Sequence, residues 1–153
     1  MKYILYDTAL HENYYPFSLN HSMFEARVGA FSFLERLQIE KKLSPKDIVL
    51  IVRDDIKDFI SDRYQDMIVN PTQISESDNK LFFDDEFPGS YILDYLSKQE
   101  KTLISDSLHF SMNIDGNYHK SAIFIGRNDI HVSRSATISA GVILDASDGP
   151  III

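Results

Sequence analysis

Two segments of the sequence carry residue types that could bind a metal ion or a phosphorylated ligand. Asp84 and Asp85, with Glu86 beside them, directly follow an apolar, strand-like run at 81–83. Carboxylates at the end of a strand can hold Mg²⁺, which takes oxygen ligands and bridges phosphates. A solvated acidic turn is the simpler interpretation of the same residues. Asp54 and Asp55 instead suit the cap of a helix.

The second segment is the polar and aromatic loop that separates the first apolar run from the first predicted helix. It contains no glycine, which excludes a dinucleotide fingerprint and a P-loop, because both need backbone to approach phosphate without a Cβ. Asn13, Ser18, Asn20 and His21 could present polar groups beside the helix N-terminus. Loop packing and capping are the alternative explanation. The five histidines show no H-x-x-x-H spacing, so no histidine metal site is indicated.

Strands alternating with helices are predicted for the first part of the chain, which favours an α/β fold with a mainly parallel sheet. The capping-box spacing of Ser22 and Glu25 predicts a helix over about 23–43, with Arg27 and Gly29 in its first two turns. Residues 101–120 are an ambiguous connector. Apolar runs and helical spacing indicate strands at 3–6, 48–52, 67–69 and 81–83 and helices near 56–64 and 91–96.

The end of the chain follows a different pattern. From Val132 onward, aliphatic residues recur every six positions, at Ile138 and Leu144. This spacing is typical of a parallel β-helix, in which three sixes make one triangular coil. Chance spacing in a β-rich segment is the alternative. One coil cannot bury its own core, and the chain ends on the apolar residues 151–153, so we expect the protein to continue beyond this sequence.

Composition excludes several classes of protein. The chain has 153 residues, 44% of them hydrophobic, and a formal net charge of −8. Such an acidic body disfavours nucleic-acid binding. No apolar run is long enough for a membrane helix. The absence of cysteine excludes disulfides and thiolate chemistry, and the expected location is cytoplasmic.

Two stretches resemble a known bacterial family. Tyr6-Asp7, Glu12-Asn13, residues 16–19 and Arg27-Val28-Gly29 are similar to the start of sugar nucleotidyltransferase-like proteins. These proteins are related to the bifunctional N-acetylglucosamine-1-phosphate uridyltransferase/glucosamine-1-phosphate acetyltransferase. Residues 130–151 are similar to that family's entry into its left-handed β-helix.

The resemblance implies a nucleotidyltransferase-like (Rossmann-like) domain over 1–120 and the first coil of a left-handed parallel β-helix over 121–153. It further implies a homotrimer of the whole protein through the β-helix. The residues it points to for nucleotide or sugar phosphate are Asp7, Pro16, Ser18, His21 and Arg27, with Asp84 or Asp85 for Mg²⁺. The catalytic residues are unknown.

The sequence also departs from the family. The glycine-rich loop and the Pro-Lys pair of the established transferases are missing, and Asn20-His21-Ser22 replaces the usual Thr-Arg-Pro. Two hypotheses follow. The first is the N-terminal part of a sugar nucleotidyltransferase/acyltransferase-like protein, inactive by itself. The second is a non-catalytic, degenerate cap or ligand-sensing module on a β-helix protein.

Overall fold

The computed structural model describes residues 2–7, 11–74, 79–82 and 94–153. It divides into two compact units, Met1–Glu100 and Lys101–Ile153. The boundary predicted at residue 120, between a nucleotidyltransferase-like domain and a β-helix, stays a prediction. Among the described residues, no helix combines the length and the apolar character needed to cross a membrane.

The first unit contains a four-stranded parallel sheet built from short apolar runs. The strands are β1 (Tyr3–Tyr6), β4 (Ile48–Ile51), β5 (Ile68–Val69) and β6 (Asn79–Phe82), in the order β5-β4-β1-β6. The central pairing sets Ile4 beside Val49 and Leu5 beside Leu50. The first three predicted strands of this part of the chain are therefore confirmed, and the fourth begins at Asn79, two residues before its predicted start. The fold is mixed α/β with mainly parallel strands.

Side chains from two helices and several turns form one core with the sheet. The helices are α1 (Phe33–Lys41) and α2 (Lys57–Arg63), and a third helix, α3 (Asp94–Ser107), spans the boundary between the two units. Leu34 of α1 and Ile60 of α2 are at most 1% exposed. The side chains that share this core include Leu5, Met23, Phe24, Leu34, Ile48, Leu50, Ile56 and Ile60.

The predicted helix over 23–43 is wrong in its first half. In the single 3-10 turn Met23–Glu25, the Glu25 carboxylate accepts the Ser22 amide at 2.8 Å, and Ala26 after the turn is extended. A hairpin of β2 (Arg27–Val28) and β3 (Phe31–Ser32) follows, and Gly29 takes a φ of 78° in its turn. A side chain there would be strained, so glycine favours the reversal.

The true start of α1 is a second capping box. Ser32 Oγ accepts the Glu35 amide at 3.2 Å, and the Glu35 carboxylate accepts the Ser32 amide at 2.7 Å. The predicted Asp54–Asp55 cap of the next helix is also wrong. Backbone turns lead into α2, whose flanking residue Ile56 makes no side-chain cap.

The second unit consists of paired short parallel strands. The strands are β7 (Asn117–Tyr118), β8 (Ile123–Ile125), β9 (Ile130–His131), β10 (Thr137–Ile138), β11 (Ile143–Asp145) and β12 (Ile151–Ile152). They pair as β7 with β10, β8 with β11 and β9 with β12. Asn117 lies beside Thr137 and Ile123 beside Ile143, an offset of 20 residues in both cases.

The side chains between these strand pairs form a small apolar core. Ile130 and Val132 are fully buried, and Ile138 is 7% exposed. Val132, Ile138 and Leu144, which the sequence spaces six apart, all pack in this cluster. A Cβ on Gly116 would lie 2.6 Å from the Ser133 carbonyl oxygen, so two strand-linking segments approach closely at this glycine.

The turns of the second unit are closed by side chains that accept a backbone amide two residues later. Ser147 N–H donates to Asp145 at 2.9 Å, and Ser121 N–H donates to His119 Nδ1 at 3.2 Å. The hydroxyl and then the amide of Ser147 lower the pKa of Asp145. Local bonds of this kind satisfy the amide groups that the strand ladders leave unpaired.

Candidate functional site

Asp7 lies at the carboxyl end of β1, and its side chain is almost fully buried. Its amide continues the strand pairing by donating to the Ile51 carbonyl at 2.8 Å. Its side chain is 3% exposed and forms an ion pair with Arg53, with Oδ2 2.7 Å from Nη1. Oδ1 accepts the Met23 amide at 3.1 Å. Both carboxylate oxygens therefore bond to the protein itself.

Arg53 is the partner that the sequence analysis missed. Besides Asp7, it donates through Nη2 to the Ser18 carbonyl at 2.6 Å, and its Nε lies 3.3 Å from the exposed carboxylate of Asp55. A signal was present, because Asp7 and Arg53 each follow a predicted strand closely. The carboxyl ends of adjacent parallel strands meet at one edge of a sheet, which brings opposite charges at those positions together.

Asn70 joins a third strand end to the same edge. It follows β5 and has a φ of 45°. Its side-chain amide pairs with the backbone of Val52 as a neighbouring strand would, accepting from Val52 N–H at 2.8 Å and donating to the Val52 carbonyl at 2.9 Å. Val52 directly precedes Arg53. These two bonds therefore fix the backbone from which the Arg53 side chain reaches the loop.

Pro16 and Ser18 belong to the inner part of the loop. Pro16 follows a cis peptide bond and precedes the 3-10 turn Phe17–Leu19. Ser18 is fully buried, and its hydroxyl donates to the His11 carbonyl at 2.5 Å. In this structure Ser18 therefore stabilises the loop through its hydroxyl and its carbonyl.

His21 lies at the outer part of the loop. Its ring stacks on Phe17 with 4.7 Å between centroids, and Nδ1 is 2.7 Å from the Asn20 side-chain oxygen. The Asn20 carbonyl accepts from Arg63 at 2.8 Å. The His21 imidazole therefore lies beside Asn20, whose carbonyl is bonded to Arg63.

Glu25 and Arg63 form a second ion pair under the loop. Arg63 Nη1 lies 3.0 and 3.1 Å from the two oxygens of Glu25, whose side chain is 6% exposed. The Tyr64 hydroxyl donates to the same carboxylate at 3.2 Å. Burial, followed by the nearby Glu25 charge, raises the pKa of Tyr64 well above its usual value.

Arg27 is not bonded to this group of residues. It lies in β2, pairs with Glu35 at 3.0 Å and donates to the Ala30 carbonyl, and its side chain is 56% exposed. Burial acts to raise the pKa of Glu35, but the Ser32 amide and the Arg27 charge outweigh it and leave that pKa below its ordinary value. The structure therefore joins Asp7, Ser18 and His21 through the loop contacts and assigns Arg27 to the hairpin.

The predicted metal ligands Asp84 and Asp85 lie outside the described residues. Within residues 2–7, 11–74, 79–82 and 94–153, no three His, Asp or Glu side chains group as a metal site would require. Asp7 already bonds Arg53 and the Met23 amide. The Mg²⁺ assignment therefore stays a prediction about Asp84 and Asp85.

Comparison with known proteins gives no match. No family model matches the chain, and neither a curated protein nor a solved structure is significantly similar to it.

Proposed function

We propose that the chain is the N-terminal part of a sugar nucleotidyltransferase/acyltransferase-like protein. In this proposal its first unit is a nucleotidyltransferase-like, Rossmann-like domain that binds a nucleotide or sugar phosphate. The second unit is the start of a left-handed parallel β-helix. The observation that carries the proposal is the strand order β5-β4-β1-β6.

That order reverses direction at β1. The chain moves outward from β1 through β4 to β5 and then returns to the other side of β1 with β6. Open parallel sheets bind ligands outside the carboxyl ends of their strands, at the point where the order reverses. Asp7 directly follows β1 at that point, and the loop that contains Ser18 is bonded to it through Arg53.

The repeated pairing of the second unit supports the β-helix. Three parallel pairs separated by about 20 residues are what three strands per coil would produce. One of its pairs has an apolar outer face, since Ile123, Ile125 and Ile143 are 51, 43 and 59% exposed. A homotrimer of the whole protein through this face is part of the proposal.

The reaction proposed for the whole protein is nucleotidyl transfer to a sugar 1-phosphate. A phosphate oxygen of the sugar attacks the α-phosphorus of a nucleoside triphosphate in line, and pyrophosphate leaves. In this proposal the described residues position the ligand, and the catalytic residues stay unknown. A cytoplasmic location fits a cysteine-free chain, which needs no oxidising compartment.

A second candidate is the non-catalytic cap or ligand-sensing module, and one observation favours it. The guanidinium groups of Arg27, Arg53 and Arg63 each already pair with a carboxylate of the protein. A triphosphate would have to compete with those partners for its positive charge. Charge-assisted bonds of this kind are among the stronger ones in proteins.

Calorimetric titration tests both candidates. UTP, other nucleoside triphosphates and UDP-N-acetylglucosamine would be titrated into the chain with and without Mg²⁺. Saturable binding that weakens in His21→Ala supports the proposed site, and a lost Mg²⁺ dependence in Asp84→Ala supports the metal assignment, whereas wild-type behaviour in both variants counts against the site. Binding by the chain without turnover by the whole protein selects the sensing module. No binding by a folded sample overturns the ligand site.

A further inference from the structure

Arg53 precedes α2 and Arg63 is its last residue, and both donate hydrogen bonds to carbonyls of the same loop. Arg53 precedes the helix and bonds the buried Asp7 together with the Ser18 carbonyl. Arg63 ends the helix and bonds the buried Glu25 together with the Asn20 carbonyl. We call Arg53 and Arg63 the arginine clamp.

Each half of the clamp uses two functions of one guanidinium. The charge pairs with a carboxylate that is at most 6% exposed, and a nitrogen of the same group donates to a loop carbonyl at 2.6 or 2.8 Å. At Arg53 two nitrogens bond different partners, Nη1 to Asp7 and Nη2 to the Ser18 carbonyl, and lysine has no planar fork that could do the same. At Arg63 one nitrogen, Nη1, makes the contacts with both Glu25 and Asn20. Arg53 is therefore more sensitive than Arg63 to an Arg→Lys change, which leaves the net charge intact.

The clamp determines which part of the loop faces outward. The carbonyls of Ser18 and Asn20 are bonded to the arginines, while Leu19 between them is 62% exposed. Tyr15 on the same loop is 51% exposed. An exposed aromatic ring and an aliphatic side chain on a fixed loop are suited to contact the base or sugar of a ligand.

We propose that Arg53 and Arg63 are positioning residues that keep residues 15–21 in the ligand-binding conformation. That residues 15–21 bind a ligand rests on the proposed function, whereas the fixing of this loop by the two arginines rests on the observed contacts. When a loop leaves its binding conformation in some of the molecules, the apparent affinity equals the intrinsic affinity multiplied by the fraction of molecules that keep this conformation. We expect Arg53→Lys to weaken binding by about tenfold, Arg63→Lys to weaken it less, and the double variant to weaken it most.

Hydrogen exchange and calorimetry on the full chain test the clamp. The proteins are the wild type, Arg53→Lys, Arg63→Lys, the double variant and Arg134→Lys, a matched control at an exposed position of the second unit. Exchange is followed in peptides over 11–25 and, for reference, over β4. UDP-N-acetylglucosamine with Mg²⁺ is the titrant. Near-UV circular dichroism identifies any variant that unfolds. If the double variant unfolds, the two single variants test the proposal.

Faster exchange over 11–25 with unchanged β4, accompanied by weaker binding, supports the proposal. Faster exchange with wild-type affinity overturns the role in ligand binding. Unchanged exchange in both single variants overturns the clamp itself and leaves the proposed function standing. Should the wild type bind no ligand while its loop exchange still depends on the arginines, the proposed function fails and the clamp on the loop is supported.

Discussion

Asp7 and Arg53 follow adjacent parallel strands, and their ion pair has 2.7 Å between Oδ2 and Nη1. The carboxylate is 3% exposed and the guanidinium 16%. The pair therefore lies mostly out of water, where a charge that loses its partner is unfavourable. It connects the edge of the sheet to the loop of the candidate site.

Removing the guanidinium should destabilise the first unit strongly. Arg53→Met leaves the buried Asp7 carboxylate without its counter-charge, and we expect a loss of about 3 kcal/mol in the free energy of unfolding. Arg53→Lys keeps the charge and should lose less than half as much. Urea unfolding followed by far-UV circular dichroism measures both. Equal stability of Arg53→Met and the wild type would show that the pair contributes nothing.

Two serines ten positions apart should respond differently to alanine. Ser32 Oγ caps α1 by accepting the Glu35 amide, so Ser32→Ala should lower the free energy of unfolding by about 1 kcal/mol. Ser22 Oγ is buried and has no hydrogen-bond partner among the described residues. Ser22→Ala should therefore change stability by less than about 0.5 kcal/mol or increase it. The opposite order would place the functional cap at Ser22.

Tyr64 should make the fold sensitive to alkaline pH. Burial and the Glu25 charge raise the pKa of Tyr64 above its ordinary value of 10.0, so the native state favours the neutral phenol. That contribution is complete below pH 10 and is lost as the pH rises further, because the unfolded chain ionises first. Urea midpoints from pH 8 to 11 should fall less steeply in Tyr64→Phe. Tyr15→Phe, at an exposed ring, is the control.

The apolar face of the second unit should control self-association. Ile123→Lys introduces a charge beside the exposed Ile143 on this face, and we expect it to reduce oligomers of the whole protein by at least tenfold in affinity. Thr137→Lys, at an exposed strand residue of β10, should leave association unchanged. Sedimentation velocity measures both. Dissociation by both variants, or by neither, would assign the interface elsewhere.

The sequence predicted the strands well because their signal is local. Ile48 to Ile51 form an uninterrupted β-branched and aliphatic run, and a short run of this kind between turn residues favours a buried strand. The helix start was harder, because Ser22 with Glu25 and Ser32 with Glu35 have the same spacing. The reversal at Gly29 separates them, and that reversal depends on the chain folding back as a hairpin.

The candidate site was predictable only in part. The resemblance led to Asp7 and Ser18, which the structure connects through Arg53. Arg53 directly follows the predicted strand 48–52, as Asp7 follows the first strand, but the sequence does not show which strands are neighbours. Only the pairing of β1 with β4 brings the two together, and spacing along one chain does not contain that pairing.

The pairing distances also set how each unit can fold. Tyr3 pairs with Ile48 and with Asn79, so β1 gains its neighbours only after long loops of chain have closed. The strands of the second unit pair across about 20 residues throughout. Contacts that are close in sequence form faster. After dilution from denaturant, the strands of the second unit should therefore pair first, and β1 should pair with β4 and β6 later.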